Sequence, residues 1–222
     1  MITSYLKYLL TRKTQYQIHS PFVFDFITKV VNDKGTNADY DSIMRISKLL
    51  DGKKHSNYRR RKMSRLLYRM VRYFEPDSVV SFGSLSAMNT TALALGNLQT
   101  RVYLEESTGF LDSMNSMGII NVNLIQPTEF DSEKFKQLNT GFVLFSKDAF
   151  EDTSWDYLVD CLSHKTSDSV FIFEGIHRNR DIEDAWETLI ENDNVSLSID
   201  LYEIGLIFFK LGFEKQHFVL KY

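Results

Sequence analysis

Four stretches of the chain hold residues whose types and spacing could bind or transform a ligand. VVSFGSLSAMN, from Val79 to Asn89, has the shape of a strand entering a nucleotide-binding turn and then a helix. It carries Gly83 at the turn and hydroxyls at Ser81, Ser84 and Ser86. RVYLEES ends in two carboxylates, Glu105 and Glu106. GFVLFS ends at Ser146, with Lys147 and Asp148 just beyond it, and SVFIF is followed by Glu174 and His177. Ligands of open α/β sheets bind at the C-terminal ends of the strands, so these residues would share one rim. A carboxylate or an imidazole there could act as a general base. The alternative for Glu174 and His177 is structural: one caps a turn, the other packs or faces water.

The elements that must position these residues follow from periodicity. Ile2, Tyr5, Leu6, Leu9 and Leu10 recur at helical spacing. In SPFVFDFITKVV, Ser20 suits an N-cap and Pro21 the first helical position. Ile43, Ile46, Leu49 and Leu50 mark a third helix. Met63, Leu66, Leu67, Met70, Val71 and Phe74 form the apolar stripe of a fourth, which Glu75-Pro76 ends. From residue 78 the pattern changes to short apolar strands alternating with helices, which implies a parallel sheet covered on both faces. Gly96 reads as a helix C-cap. VSLSIDL, GLIFFK and HFVLK then follow without helices between them, which predicts an antiparallel hairpin at one edge. The organisation expected is a helical extension over 1–76 and an α/β domain over 77–222.

Composition narrows the function classes. The 222 residues are 43% hydrophobic and 25% charged, an ordinary globular balance. A net charge of -3 leaves any nucleic-acid role to a local patch. One cysteine, Cys161, excludes an intramolecular disulfide and a multi-cysteine metal site. No stretch approaches the roughly 20 apolar residues of a membrane span, and no secretory leader is evident, so a cytoplasmic protein is expected.

IHSPFVFDFITKV, SVVSFGSLSAMNTTALALGN, SVFIFEGIHRNRDIEDAWE and the ending SIDLYEIGLIFFKLGFEKQHFVLKY resemble a bacterial branch of class I S-adenosylmethionine-dependent methyltransferases. Five β-α units closed by an antiparallel pair fit that group better than the dinucleotide dehydrogenases. The resemblance implies a Rossmann-like, mostly parallel seven-stranded sheet with an antiparallel C-terminal hairpin, preceded by the helical extension. It implies S-adenosylmethionine as cofactor, held by Ser81, Gly83 and Ser84 at the turn and by Ser146. It also implies that Glu105 or Glu106 accepts hydrogen bonds from the ribose hydroxyls, a device shared with dinucleotide sites. The motif departs from the family's pattern, because Ser81 replaces the acid that ends the first strand and Ala87 the later glycine.

Metal-dependent members of this fold place carboxylates after the fourth and fifth strands, with an amide beside the latter. Here Ser146 and Glu174-Gly175 stand there, so no metal is expected. The leading expectation is metal-independent methyl transfer to a small-molecule acceptor, with Glu174 or His177 near it. The alternative is a catalytically inactive methyltransferase-fold module for binding or assembly. A homodimer through an exposed terminal hairpin is conceivable. A third reading rests on Lys53, Lys54, Arg59, Arg60, Arg61, Lys62, Arg65, Arg69 and Arg72, a run without acids. It is either a phosphate-binding ridge or, in the favoured reading, the solvated face of an amphipathic helix. Aromatic residues reach 14% and serve mainly as core.

Overall fold

The computed structural model describes residues 2–51, 58–105, 111–125, 132–138, 141–147, 149, 154–212 and 214–222. Four helices come first: α1 (Ile2–Thr11), α2 (Pro21–Phe26), α3 (Ala38–Asp51) and α4 (Tyr58–Phe74). Ser20 caps α2, its hydroxyl accepting from the Val23 N–H at 3.4 Å, and Pro21 occupies the first turn. A π-helical turn over Ile27–Val31 extends it. Leu66, Leu67, Met70 and Val71 of α4 are fully buried, as the stripe predicts. In α1 the expected stripe is not the buried face. Leu6 and Leu10 are exposed, and the helix docks through Tyr8, whose hydroxyl donates to the Leu220 carbonyl at 2.8 Å.

The strands are β1 (Ser78–Phe82), β2 (Arg101–Leu104), β3 (Val122–Leu124), β4 (Phe142–Phe145), β5 (Val170–Glu174), β6 (Leu197–Asp200), β7 (Ile204–Phe208) and β8 (Gln216–Val219). Between them lie α5 (Ala87–Gly96), α6 (Leu111–Ser116), α7 (Ser132–Gln137), α8 (Ser154–His164) and α9 (Arg180–Ile190). The sheet order is β3-β2-β1-β4-β5-β7-β6-β8. Side chains alternate between two cores, Val79 meeting α2, α4 and α5 and Val80 meeting α8 and α9. The fold is therefore α/β and Rossmann-like.

Three expectations need correction. The sheet has eight strands, and the β6–β7 hairpin is not at the edge: β7 lies between β5 and β6, antiparallel to both. β8 forms the edge, parallel to β6. Burial explains the arrangement. All five residues of β7 are buried, which demands an interior position, whereas β8 is partly exposed and suits an edge. Gly96 is likewise not a left-handed cap, since Asn97 follows it in an extended conformation. A Cβ at Gly96 would lie 2.8 Å from Val71 Cβ, so the glycine lets α4 and α5 approach closely.

Gly205 has the same role in β7. A Cβ there would sit 2.5 Å from Trp186 Cη2 and 3.0 Å from Ile176 Cγ2, against a ring that is itself buried. Gly205→Ala is expected to destabilise the protein by about 1–3 kcal/mol through overpacking. Urea unfolding followed by tryptophan fluorescence measures this, and an unchanged midpoint would mean that Trp186 has room to move aside.

Candidate functional site

The turn after β1 is built on a glycine. Gly83 has φ +74, a conformation that favours glycine. Its N–H donates to Glu105 Oε2 at 2.6 Å, which ties the turn to the residue just past β2. The same glycine is packed against the chain after β4. A Cβ at position 83 would lie 2.4 Å from Ser146 Oγ and 2.8 Å from the Ala149 nitrogen. Ser86 caps α5, its hydroxyl accepting from the Asn89 N–H at 3.3 Å. Leu85 is buried in the core shared by α4 and α5.

The predicted cofactor residues therefore divide. Gly83 and Glu105 meet through a hydrogen bond, and Ser84 is exposed beside them. Ser81 and Ser146 are fully buried, and their hydroxyls have no hydrogen-bond partner among the described residues. Glu106 and Asp148 lie outside the described residues. Among those described, no group of three His, Cys, Asp or Glu side chains is arranged to hold a metal ion.

A cleft of about 650 Å³ opens at the C-terminal end of β5, between the β4 loop and α1. Glu174 and His177 line it, with Lys147, Arg178, Tyr8 and Tyr202. Glu174 is half-buried at the last position of β5, opposite Ile204 of β7. Gly175, at φ +81, follows it, and its N–H donates to the Glu203 carbonyl at 2.7 Å. Arg178 donates to the Lys147 carbonyl at 2.9 Å, joining the loops after β4 and β5.

His177 is engaged on both sides of its ring. Nδ1 lies 3.0 Å from Glu183 Oε1, and Nε2 lies 2.8 Å from Asp200 Oδ2. Neither Asp200 nor Glu183 belongs to the predicted set. Asp200 ends the strand VSLSID, so an acid at a strand terminus was the available signal. Nothing in the sequence connects Glu183, on α9, to that strand. Asp200 Oδ1 also accepts the Tyr202 N–H at 2.6 Å, which supports a left-handed conformation, φ +71, at that tyrosine. The Tyr202 ring stacks on His177 at 5.2 Å and meets Tyr5 and Tyr8 of α1 at 5.0 and 5.1 Å.

Several solved structures share this backbone fold. A methyltransferase from Podospora anserina, crystallised with SAH, superposes with a TM-score of 0.56 at 14% identity, over 87% of this chain and 97% of that one. A methyltransferase from Geobacter sulfurreducens gives 0.55 at 12% identity, over 87% and 98% of the two chains. An O-methyltransferase from Bacillus cereus in complex with SAH gives 0.52 at 15% identity, over 84% and 97%. At these identities the likeness establishes the class I methyltransferase fold. The sequence matches no protein-family profile and no curated protein.

The His177 arrangement has a pH signature. Burial alone would lower the imidazole pKa, but Asp200 and then Glu183 raise it above the ordinary 6.5. The imidazolium therefore stabilises the fold fully below pH 6.5, and this contribution is lost as pH rises through the folded pKa. His217 shifts the other way, because burial favours its neutral form. Comparison with a variant cancels that second effect. His177→Gln is expected to cost roughly 3 kcal/mol at about pH 5.5, and less at alkaline pH. Chemical denaturation of both proteins across pH checks this, and a pH-independent difference would refute a charged ring held by two carboxylates.

Proposed function

We propose that the chain binds S-adenosylmethionine at the rim of β1 and β2 and transfers its methyl group, without a metal, to a small-molecule acceptor in the rim cleft. The observation that carries this reading is where the cleft lies. Lys147, which lines it, follows Ser146, whose hydroxyl packs beside Gly83, so one loop links the cleft to the turn at the strand ends.

The residues present fit much of such a cofactor. Glu105 uses Oε2 on the Gly83 N–H, while Oε1 has no partner among the described residues and can accept from a ribose hydroxyl. Ser84 is exposed beside the turn, whereas Ser81 and Ser146 lie buried behind it. The cofactor supplies a methyl group on a sulfonium that is already reactive, so positioning carries much of the catalysis. Lys147 and Arg178 bring positive charge to the cleft. Glu174, half-buried in the wall of the cleft, is the proposed proton acceptor. Ser146 and Gly175, standing at strand-end positions where metal-dependent members carry ligands, favour a reaction without a metal.

An inactive binding or assembly module is the second reading. It is favoured by the Ser146–Ala149 contact at Gly83, which puts protein atoms where a glycine turn would face a cofactor. Calorimetric titration with S-adenosylmethionine and S-adenosylhomocysteine distinguishes the two. Micromolar binding, weakened about tenfold by Glu105→Gln, is the result expected of the enzyme. That variant keeps an acceptor for the Gly83 N–H but removes the charge. No binding at millimolar ligand, from folded protein, would leave the module.

A further inference from the structure

A second cleft, of about 870 Å³, lies between α4, the residues after α2 and the strand-like pairing of Lys13 with Leu220. Lys13, Lys34, Lys62 and Lys221 line it together with Arg61, Arg65 and Arg69. Asp33 is the one acidic side chain lining it among the described residues, and its Oδ1 already accepts the Gly35 N–H at 2.7 Å. Among the described residues, Lys13, Lys34, Arg65 and Lys221 take part in no ion pair. Such a concentration of positive charge is unusual in a chain whose net charge is -3. Like charges gathered in one concavity repel, and an anion in their midst relieves that repulsion.

The cations stand on fixed backbone. The Lys13 N–H donates to the Val219 carbonyl at 2.7 Å, and the Lys221 N–H donates to the Lys13 carbonyl at 3.1 Å. Arg69 Nε donates to the Val30 carbonyl at 2.6 Å, which fastens α4 to the segment carrying Asp33 and Lys34. Arg65 lies over the Tyr40 ring at 4.8 Å. Burial holds the Lys62 pKa below the usual lysine range; Glu203 opposes this and Arg69 adds to it. Lys62 also lies over the Tyr222 ring at 3.7 Å, and both residues line the rim cleft as well. The two clefts thus share a wall.

We propose that this cleft binds the clustered anionic oxygens of a small molecule bearing a di- or triphosphate. On the methyl-transfer reading, on which this role rests, that group is the tail of an acceptor whose reacting end lies in the rim cleft. The size of the cleft matches a ligand of drug-like dimensions. The overall negative charge disfavours a long nucleic-acid polymer. Of the basic run in the sequence, Arg61, Arg65 and Arg69 face the cleft, while Arg72 donates to the Tyr68 hydroxyl at 3.0 Å.

Titration of the full chain with inorganic tripolyphosphate at about 50 mM salt tests the proposal, with citrate and a single-stranded oligonucleotide as comparisons. Saturable tripolyphosphate binding is expected, weakened about threefold by Arg65→Ala and by Lys34→Ala. Both side chains are exposed, and Glu105→Gln is expected to leave the binding unchanged. No saturable binding at millimolar tripolyphosphate, or equal binding by both cleft variants, would overturn the site. Tighter binding of citrate would overturn its phosphate assignment, and much tighter binding of the oligonucleotide would make it a polymer surface. Failure of the cofactor reading registers separately, in the S-adenosylhomocysteine titration.

Discussion

The His177 ring, held between Glu183 on α9 and Asp200 at the end of β6, joins the segment after β5 to the two elements that follow it in the chain. Much of the rim cleft depends on this bridge. Asp200 uses its second oxygen on the Tyr202 N–H, so the same carboxylate that holds the imidazole also holds the tyrosine at a positive φ. A non-glycine residue in that region costs on the order of 1–3 kcal/mol, and it persists because its surroundings over-determine it. Here those surroundings are the hydrogen bond to Asp200, the stack on His177 and the edges of Tyr5 and Tyr8. The helix α1 is thereby seated on the rim. A chain of contacts that begins with one ion pair ends as the wall of a cleft.

This also explains which parts of the structure were legible in the sequence. The α4 stripe, the Ser20-Pro21 helix start and the alternation of strands with helices are local patterns, set by side-chain period and backbone chemistry. The placement of β7 is not local. It depends on which strand is buried on both faces, and GLIFF and HFVLK look alike until their neighbours are known. Gly96 illustrates the same limit. A glycine near a helix end reads as a cap, yet here the deciding contact is with Val71, 25 residues away by number (96 against 71). The buried face of α1 departs from its apolar stripe for a related reason: Tyr8 is buried because Leu220 and Tyr202 lie above it, and neither is near it in sequence.

At the candidate site, the residues found from motif shape and those found only from structure differ in kind. Gly83, Glu105 and Glu174 lie at strand ends, where the topology of the fold concentrates ligand contacts. Glu183, Asp200 and Tyr202 touch His177 only after α9 and β6 have packed, and no spacing rule anticipates that meeting. The consequence for His177 is chemical. An imidazole next to a strand end reads as a base, but here both ring nitrogens lie against carboxylates, which favour its protonated form.

The turn itself shows why the shape of a motif is weak evidence for a ligand. Gly83 would be retained by any sequence with this packing, because φ is +74 and Ser146 leaves no room for a Cβ. Ser86 would be retained as the cap of α5, and Ala87 is buried within it. Glu105 Oε2 serves the turn by accepting from Gly83. Each of these residues answers a demand of the fold before any demand of a cofactor. Among the described residues, the second oxygen of Glu105 and the cleft beside Lys147 answer no such demand. Packing alone does not account for that carboxylate oxygen or for the cleft, and both lie toward the strand ends where this fold gathers ligand contacts.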